Sequence, residues 1–198
     1  MTNTPLKCHG GKHYLAARII ELMPPHIHYV EPYFGGGSVL LHKDPIGTSE
    51  VANDICKEIM NFWYVLRDEM TFQQFTRRIQ TVPFSKPEWE QATRQPTSIP
   101  DVPAAVDFFV RCRQSRAGEC REFAPITRNR LRRAMNEQCS AWLNSIDGLP
   151  EVHARMLRVV VFCEDGIDII RKQDGSNTLF YIDPPYMHET RVSTDAYT

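Results

Sequence analysis

The chain has 198 residues, 42% of them hydrophobic, and a formal net charge of −1. That length holds one domain, or one domain with a smaller insertion, and that hydrophobic fraction excludes global disorder. A near-neutral total argues neither for nor against a nucleic-acid partner, so the distribution of charge has to decide.

Residues 13–23 carry Leu15, Ile19, Leu22 and Met23 at helical spacing, and Pro24-Pro25 stop that helix. A short strand is expected over 26–32, then a glycine turn and a helix over 35–43. A second strand follows over 49–54. The next helix, 56–68, has Ile59, Phe62, Trp63 and Leu66 along one face. The middle differs: 71–150 shows no convincing β-α-β strand. Ser85 with Glu88 suggests a capping box, and Pro87 suits a first helical turn. One helix is expected over 103–110. A longer one is expected from Leu131, Met135, Cys139, Trp142 and Ile146. Alternation resumes with a strand over 157–163, a short helix after Asp165, and a strand over 178–183. The pattern is an open α/β sheet, residues 1–70 and 151–198, interrupted by a mainly helical insertion at 71–150. Repeats and low-complexity tracts are not evident.

"EPYFGGGS" (31–38) joins a strand to a helix, and Asp54 ends the next strand 18 residues after Gly36. Glycines let the backbone approach a ligand closely, and N–H groups at a helix start attract negative groups. An acid about 20 residues beyond such a loop commonly accepts hydrogen bonds from ribose hydroxyls. A plain turn with a solvated aspartate is the simpler alternative. The phosphate loop pattern fails, because Gly10-Gly11-Lys12 is followed by His13. The dinucleotide fingerprint lacks its third spaced glycine. An adenosine-bearing ligand without a pyrophosphate fits better.

"YIDPPY" (181–186) places Asp183 at a strand end, at the sheet edge where open α/β folds bind ligands. Pro184 and Pro185 remove two N–H donors. The Asp183 carboxylate and the Pro184 carbonyl remain as rigid acceptors, matched to an –NH2 group. Tyr186 offers a face for a ring to stack on. Taken alone, the stretch could also be a proline-stiffened turn. Combined with the glycine loop and Asp54, it reads as a clamp for an exocyclic amine.

Taken in order, "LKCHGGK" (6–12), "VEPYFGGGSVLLH" (30–42), "ANDICKEIMNFW" (52–63), "FFVRCRQSRAGECREF" (108–123) and "YIDPPY" resemble the motifs of the Dam-like DNA adenine-N6 methyltransferases. The resemblance implies a Rossmann-like methyltransferase sheet with an inserted target-recognition domain. It implies S-adenosylmethionine as cofactor, held by Cys8, Lys12, Glu31, Phe34, Gly35, Gly37, Ser38, Asp54, Asp165 and Asp183. Catalysis would fall to Asp183, Pro184 and Tyr186, acting on an adenine flipped out of double-stranded DNA. It also implies a cytoplasmic protein of bacterial or phage type, in a restriction-modification setting or alone. A cytosine-N4 or RNA methyltransferase is the runner-up, since the clamp suits either amino base. A cofactor- or DNA-binding fragment without turnover is the other alternative.

That third reading comes from the chain's end. The family's strand order is expected to be 3-2-1-4-5-7-6, and only strands 1 to 4 are written here. Later strands are missing, so strand 4 is expected to be an open edge prone to pairing with another chain.

Eight arginines lie between 111 and 133, against Glu119 and Glu122. This basic stretch suits phosphate contacts and guanine edges, and with Lys7 it supplies the expected DNA-binding set: Arg113, Arg116, Arg121, Arg128 and Arg130. A solvated helix face is the simpler reading. The family usually has Asn-Arg where this chain has Cys112-Arg113, so the DNA sequence read does not carry over. Six cysteines form no C-x-x-C pair and read as free thiols; the seven histidines make no ligand set, so no metal is expected. No apolar run approaches the ~18 residues of a membrane helix.

Overall fold

A computed structural model describes residues 4–7 and 12–185. Four strands, β1 (His28–Glu31), β2 (Ser49–Asn53), β5 (Val159–Phe162) and β6 (Thr178–Phe180), form one parallel sheet in the order β5-β2-β1-β6. This is the order 3-2-1-4 when the strands are numbered along the chain. A separate two-stranded antiparallel hairpin pairs β3 (Leu131–Arg132) with β4 (Met135–Asn136).

The helices are α1 (Ala16–Glu21), α2 (Ser38–His42), α3 (Lys57–Arg67), α4 (Glu69–Ile79), α5 (Lys86–Gln91), α6 (Val102–Gln114), α7 (Glu137–Asp147), α8 (Leu149–Met156) and α9 (Gly166–Gln173). Strand alternation divides the core. Tyr29, Ala52, Val159 and Val161 face a large cluster built with α2, α3, α4, α6 and α8. Val30 and Val51 face the other way, onto Ile169 of α9. Within the expected insertion, α4 and α6 both pack on α3. Phe62 of α3 stacks on Phe109 of α6, with centroids 5.6 Å apart and planes 5° apart. Arg111 of α6 also pairs with Glu58 of α3.

Three expectations need correction. The long helix drawn from Leu131 begins only at Glu137. Asn136 accepts the Gln138 N–H and starts the helix there, while Arg133 and Ala134, both at positive φ, turn the chain back into the hairpin. Leu131 therefore lies exposed on a strand. The Ser85 capping box is not made: Ser85 stands at the cap position of α5 without a side-chain bond. Its N–H, which Glu88 would have accepted, goes to Gln114 Oε1 at 2.9 Å. The first helix is shorter, and Leu15 and Leu22 flank it, exposed. Ala16, Ile19, Ile20 and Met23 make its contacts instead.

Candidate functional site

Parallel strands bring all their carboxyl ends to one edge, and the glycine loop, Asp54 and Asp183 follow the strands that end there. After β1 the chain enters the glycine loop. Gly37, at φ 67, caps α2, and a Cβ on it would sit 2.6 Å from the Phe34 ring. Phe34 is buried, packed on Trp63 with centroids 4.9 Å apart. Trp63 in turn donates Nε1–H to the Gly35 carbonyl at 2.9 Å. Phe34 thus shapes the loop from within. Ser38 opens α2.

Asp54 follows β2 and ties the loops together. Its Oδ2 accepts the Gly35 N–H and its Oδ1 accepts the Cys56 N–H, both at 2.9 Å. Burial pushes the Asp54 carboxyl up, against the pull of the neighbouring backbone N–H groups. Its neighbour Asn53, fully buried, was not singled out from sequence. Its side chain donates to the carbonyls of Pro32 (2.9 Å) and Glu164 (3.0 Å) and accepts the Glu164 N–H (2.9 Å). One amide therefore ties the chain ends after β1, β2 and β5. Its place at a strand end, beside an acid of the motif, is the only local hint of this.

Glu31, at the end of β1, is 2% exposed. It accepts the Tyr29 O–H at 2.7 Å, and the Leu40 N–H in the first turn of α2. Burial pushes its carboxyl up to about 8. Behind it, Glu50 takes a two-pronged ion pair from Arg155, at 2.6 and 2.8 Å. Glu31 and Phe34 are thus inner supports of the loop.

Asp165 accepts the Ile167 N–H at 2.8 Å and caps α9. At the opposite end of the chain, Lys12 Nζ donates to Asp183 Oδ2 at 2.6 Å, joining residues 171 apart in sequence. Both side chains keep about a quarter of their surface exposed, at 22% and 25%. Pro184 is exposed beside them. Cys8 and Tyr186 lie outside the described residues.

The basic residues divide into two sets. Lys7 and Arg113 line one cavity of about 620 Å³ together with Ser38, His13 and Asn144. Burial pulls the Arg113 guanidinium down to about 10. Burial, with Arg113 beside it, also pulls the Lys7 ammonium down. Arg113 donates to the Ala141 carbonyl at 3.2 Å, so it is a wall of this cavity and not part of an outer face. Arg116, Arg121, Arg128 and Arg130 are exposed, with Arg116 3.7 Å from Glu122.

The edge has features that fit a nucleoside-type cofactor. A Cβ on Gly35 would meet nothing, so space stands open over the loop. Each Asp54 oxygen accepts one N–H bond and retains capacity for another. Among the described residues, no cluster of His, Cys, Asp and Glu could hold a metal ion, and no helix is long and apolar enough to cross a membrane.

Residues 9–198 match the family model of the D12 class N6 adenine-specific DNA methyltransferases. A comparison with curated proteins gave no match.

Proposed function

The chain belongs to the D12 class of N6 adenine-specific DNA methyltransferases, and on that premise we propose that its own residues transfer a methyl group from S-adenosylmethionine to the exocyclic amine of a flipped adenine in double-stranded DNA. The observation that carries this reading is the Lys12–Asp183 pair at the sheet edge, beside a glycine loop held by Asp54.

When bound, S-adenosylmethionine supplies a methyl group made electrophilic by its sulfonium. Asp54 accepts hydrogen bonds from the ribose. Glu31 and Phe34 hold the glycine loop in shape beneath the cofactor, and Gly35, Gly37 and Ser38 present backbone to it. The remaining contacts at the methionine and adenine ends fall to Cys8, Lys12 and Asp165. Lys12 anchors one oxygen of Asp183, which leaves the other to accept an N6–H, and the Pro184 carbonyl accepts the second. Adenine N6 is a poor nucleophile because its lone pair is delocalised into the ring. Two acceptors favour a more tetrahedral nitrogen and stabilise the positive charge that develops on it. Alignment of amine and methyl supplies much of the remainder. Tyr186 stacks on the extruded base, whose unstacking costs a few kcal/mol. The segment 71–150 acts as the target-recognition region, with Arg116, Arg121, Arg128 and Arg130 toward DNA, and with Lys7 and Arg113 reaching it only through the cavity they line.

The test incubates the chain with DNA and S-adenosylmethionine carrying a labelled methyl group, then identifies the modified base. N6-methyladenine is expected, and Asp183→Ala is expected to lower its formation by about 10²–10³-fold, the scale on which loss of one transition-state hydrogen-bonding group is felt. Label on cytosine N4, on RNA alone, or on nothing would each overturn the reading, as would substantial methylation by the Ala variant.

A further inference from the structure

Five cysteines lie among the described residues, none of them in a disulfide, and two of them touch. Cys112, 3% exposed in the last turn of α6, has its Sγ 3.4 Å from that of Cys120. The chain between them doubles back through the short 3-10 turn Arg116–Gly118. Three bonds hold that return. Arg116 N–H donates to the Glu122 carbonyl at 2.8 Å. Cys120 N–H donates to Ser115 Oγ at 3.1 Å, and Ser115 Oγ–H donates to the Cys112 carbonyl at 3.2 Å. Cys120 itself sits at φ 58, a conformation that directs its side chain back onto α6. The sulfurs meet because the loop is closed, not because the residues are neighbours in sequence.

We propose that Cys112 and Cys120 form a peroxide-sensitive thiol pair, a modification site that closes to a disulfide. The Cys120 thiolate attacks one oxygen of hydrogen peroxide, the O–O bond breaks, and the hydroxide that leaves takes up the proton the thiol released, giving a sulfenic acid and water. The Cys112 thiol then attacks that sulfur, the S–O bond breaks, and a second water leaves. Two thiols and one peroxide become one disulfide and two waters; the sulfurs give up two electrons and the O–O bond takes them.

The surroundings favour Cys120 as the attacking sulfur. The hydrogen bond from Cys112 and the nearby Arg111 guanidinium hold its thiol below the ordinary range. Burial, reinforced by Asp54, pushes Cys56 and Cys163 the other way. Closing the pair pins the turn to α6. That turn also supports Lys7: a Cβ on Gly118 would run into the Lys7 carbonyl, so the two backbones lie in close contact.

The experiment treats the native full chain with one to two equivalents of hydrogen peroxide, caps remaining thiols with an alkylating reagent, and maps peptides after cleavage at Arg116. Expected is a Cys112–Cys120 cross-link two mass units lighter than the paired thiols and reversed by dithiothreitol, with Cys56, Cys139 and Cys163 still alkylated. In Cys112→Ser, Cys120 is expected to stop at a sulfenic acid that dimedone traps. Alkylation of Cys112 and Cys120 to the same extent as Cys139 after peroxide would overturn the proposal. A Cys120 disulfide to Cys8 or to a second chain would do so equally. The wild-type map decides the matter even if the variant folds poorly, and neither reading depends on methyl transfer.

Discussion

Two residues of the glycine-loop motif are defined by what surrounds them. Glu31 is buried, and burial holds its carboxyl up to about 8. The unfolded chain releases that proton in the ordinary carboxylate range, whereas the native chain keeps it until near 8. Between those values the unfolded state binds fewer protons, so native stability falls as pH rises through the window. Glu31→Gln cannot ionise and can still accept the Tyr29 O–H and the Leu40 N–H. Its unfolding free energy, measured by urea titration, is therefore expected to fall less than the wild type's between pH 5 and pH 8, by an amount on the order of a few kcal/mol. Parallel pH profiles for the two proteins would refute this. Gly37 is constrained by its backbone. At φ 67, with the Phe34 ring 2.6 Å from any added Cβ, Gly37→Ala combines a left-handed strain with a clash. Thermal and denaturant unfolding should show a loss of about 1–3 kcal/mol.

Among the elements, α9 shows how a residue expected at the cofactor can have a structural duty. Asp165 caps it through the Ile167 N–H. Asp165→Ala is expected to lower stability by about 1 kcal/mol, the usual worth of an N-cap. Measuring S-adenosylmethionine affinity at a temperature where both proteins are fully folded separates this from any role toward the cofactor adenine. No loss of stability would remove the capping account. Sequence periodicity located α3 and the first three strands of the sheet within a residue or two, because their apolar faces pack where the pattern points; β6, expected to run to Asp183, ends at Phe180, and Asp183 lies in the stretch beyond it. Periodicity failed over 131–136, where Leu131 and Met135 happen to fall at helical spacing. There a cap at Asn136 and two left-handed residues decide the local path.

For the molecule as a whole, the charge distribution divides in a way a count of arginines does not reveal. Arg111 is used inside, against Glu58 and the Ala92 carbonyl, and Arg113 walls a cavity. Arg128 and Arg130 are exposed next to the hairpin. Phosphate contacts release counterions, so each lost contact lowers the salt dependence of binding by roughly one unit of slope. Replacing both Arg128 and Arg130 by Gln is expected to reduce the slope of log affinity against log salt by about 2 and to weaken binding to all duplexes alike. An unchanged slope, measured by fluorescence anisotropy on a short duplex, would count against this face as the phosphate-binding surface.

The acids at the ends of strands, the glycine loop with its acid 18 residues on, and the order of the motifs were legible in the sequence alone. These are local features, set by turn chemistry and by alternation along a strand, and they point to the sheet edge as the candidate site. The sequence could not say that Glu31 and Phe34 face inward, that Asn53 ties three loops, or that Lys12 meets Asp183 across 171 residues. Nor could it say that two scattered cysteines touch. Those facts depend on desolvation and on partners from distant segments, and both exist only once the strands have stacked in the order β5-β2-β1-β6 and their carboxyl ends share one edge.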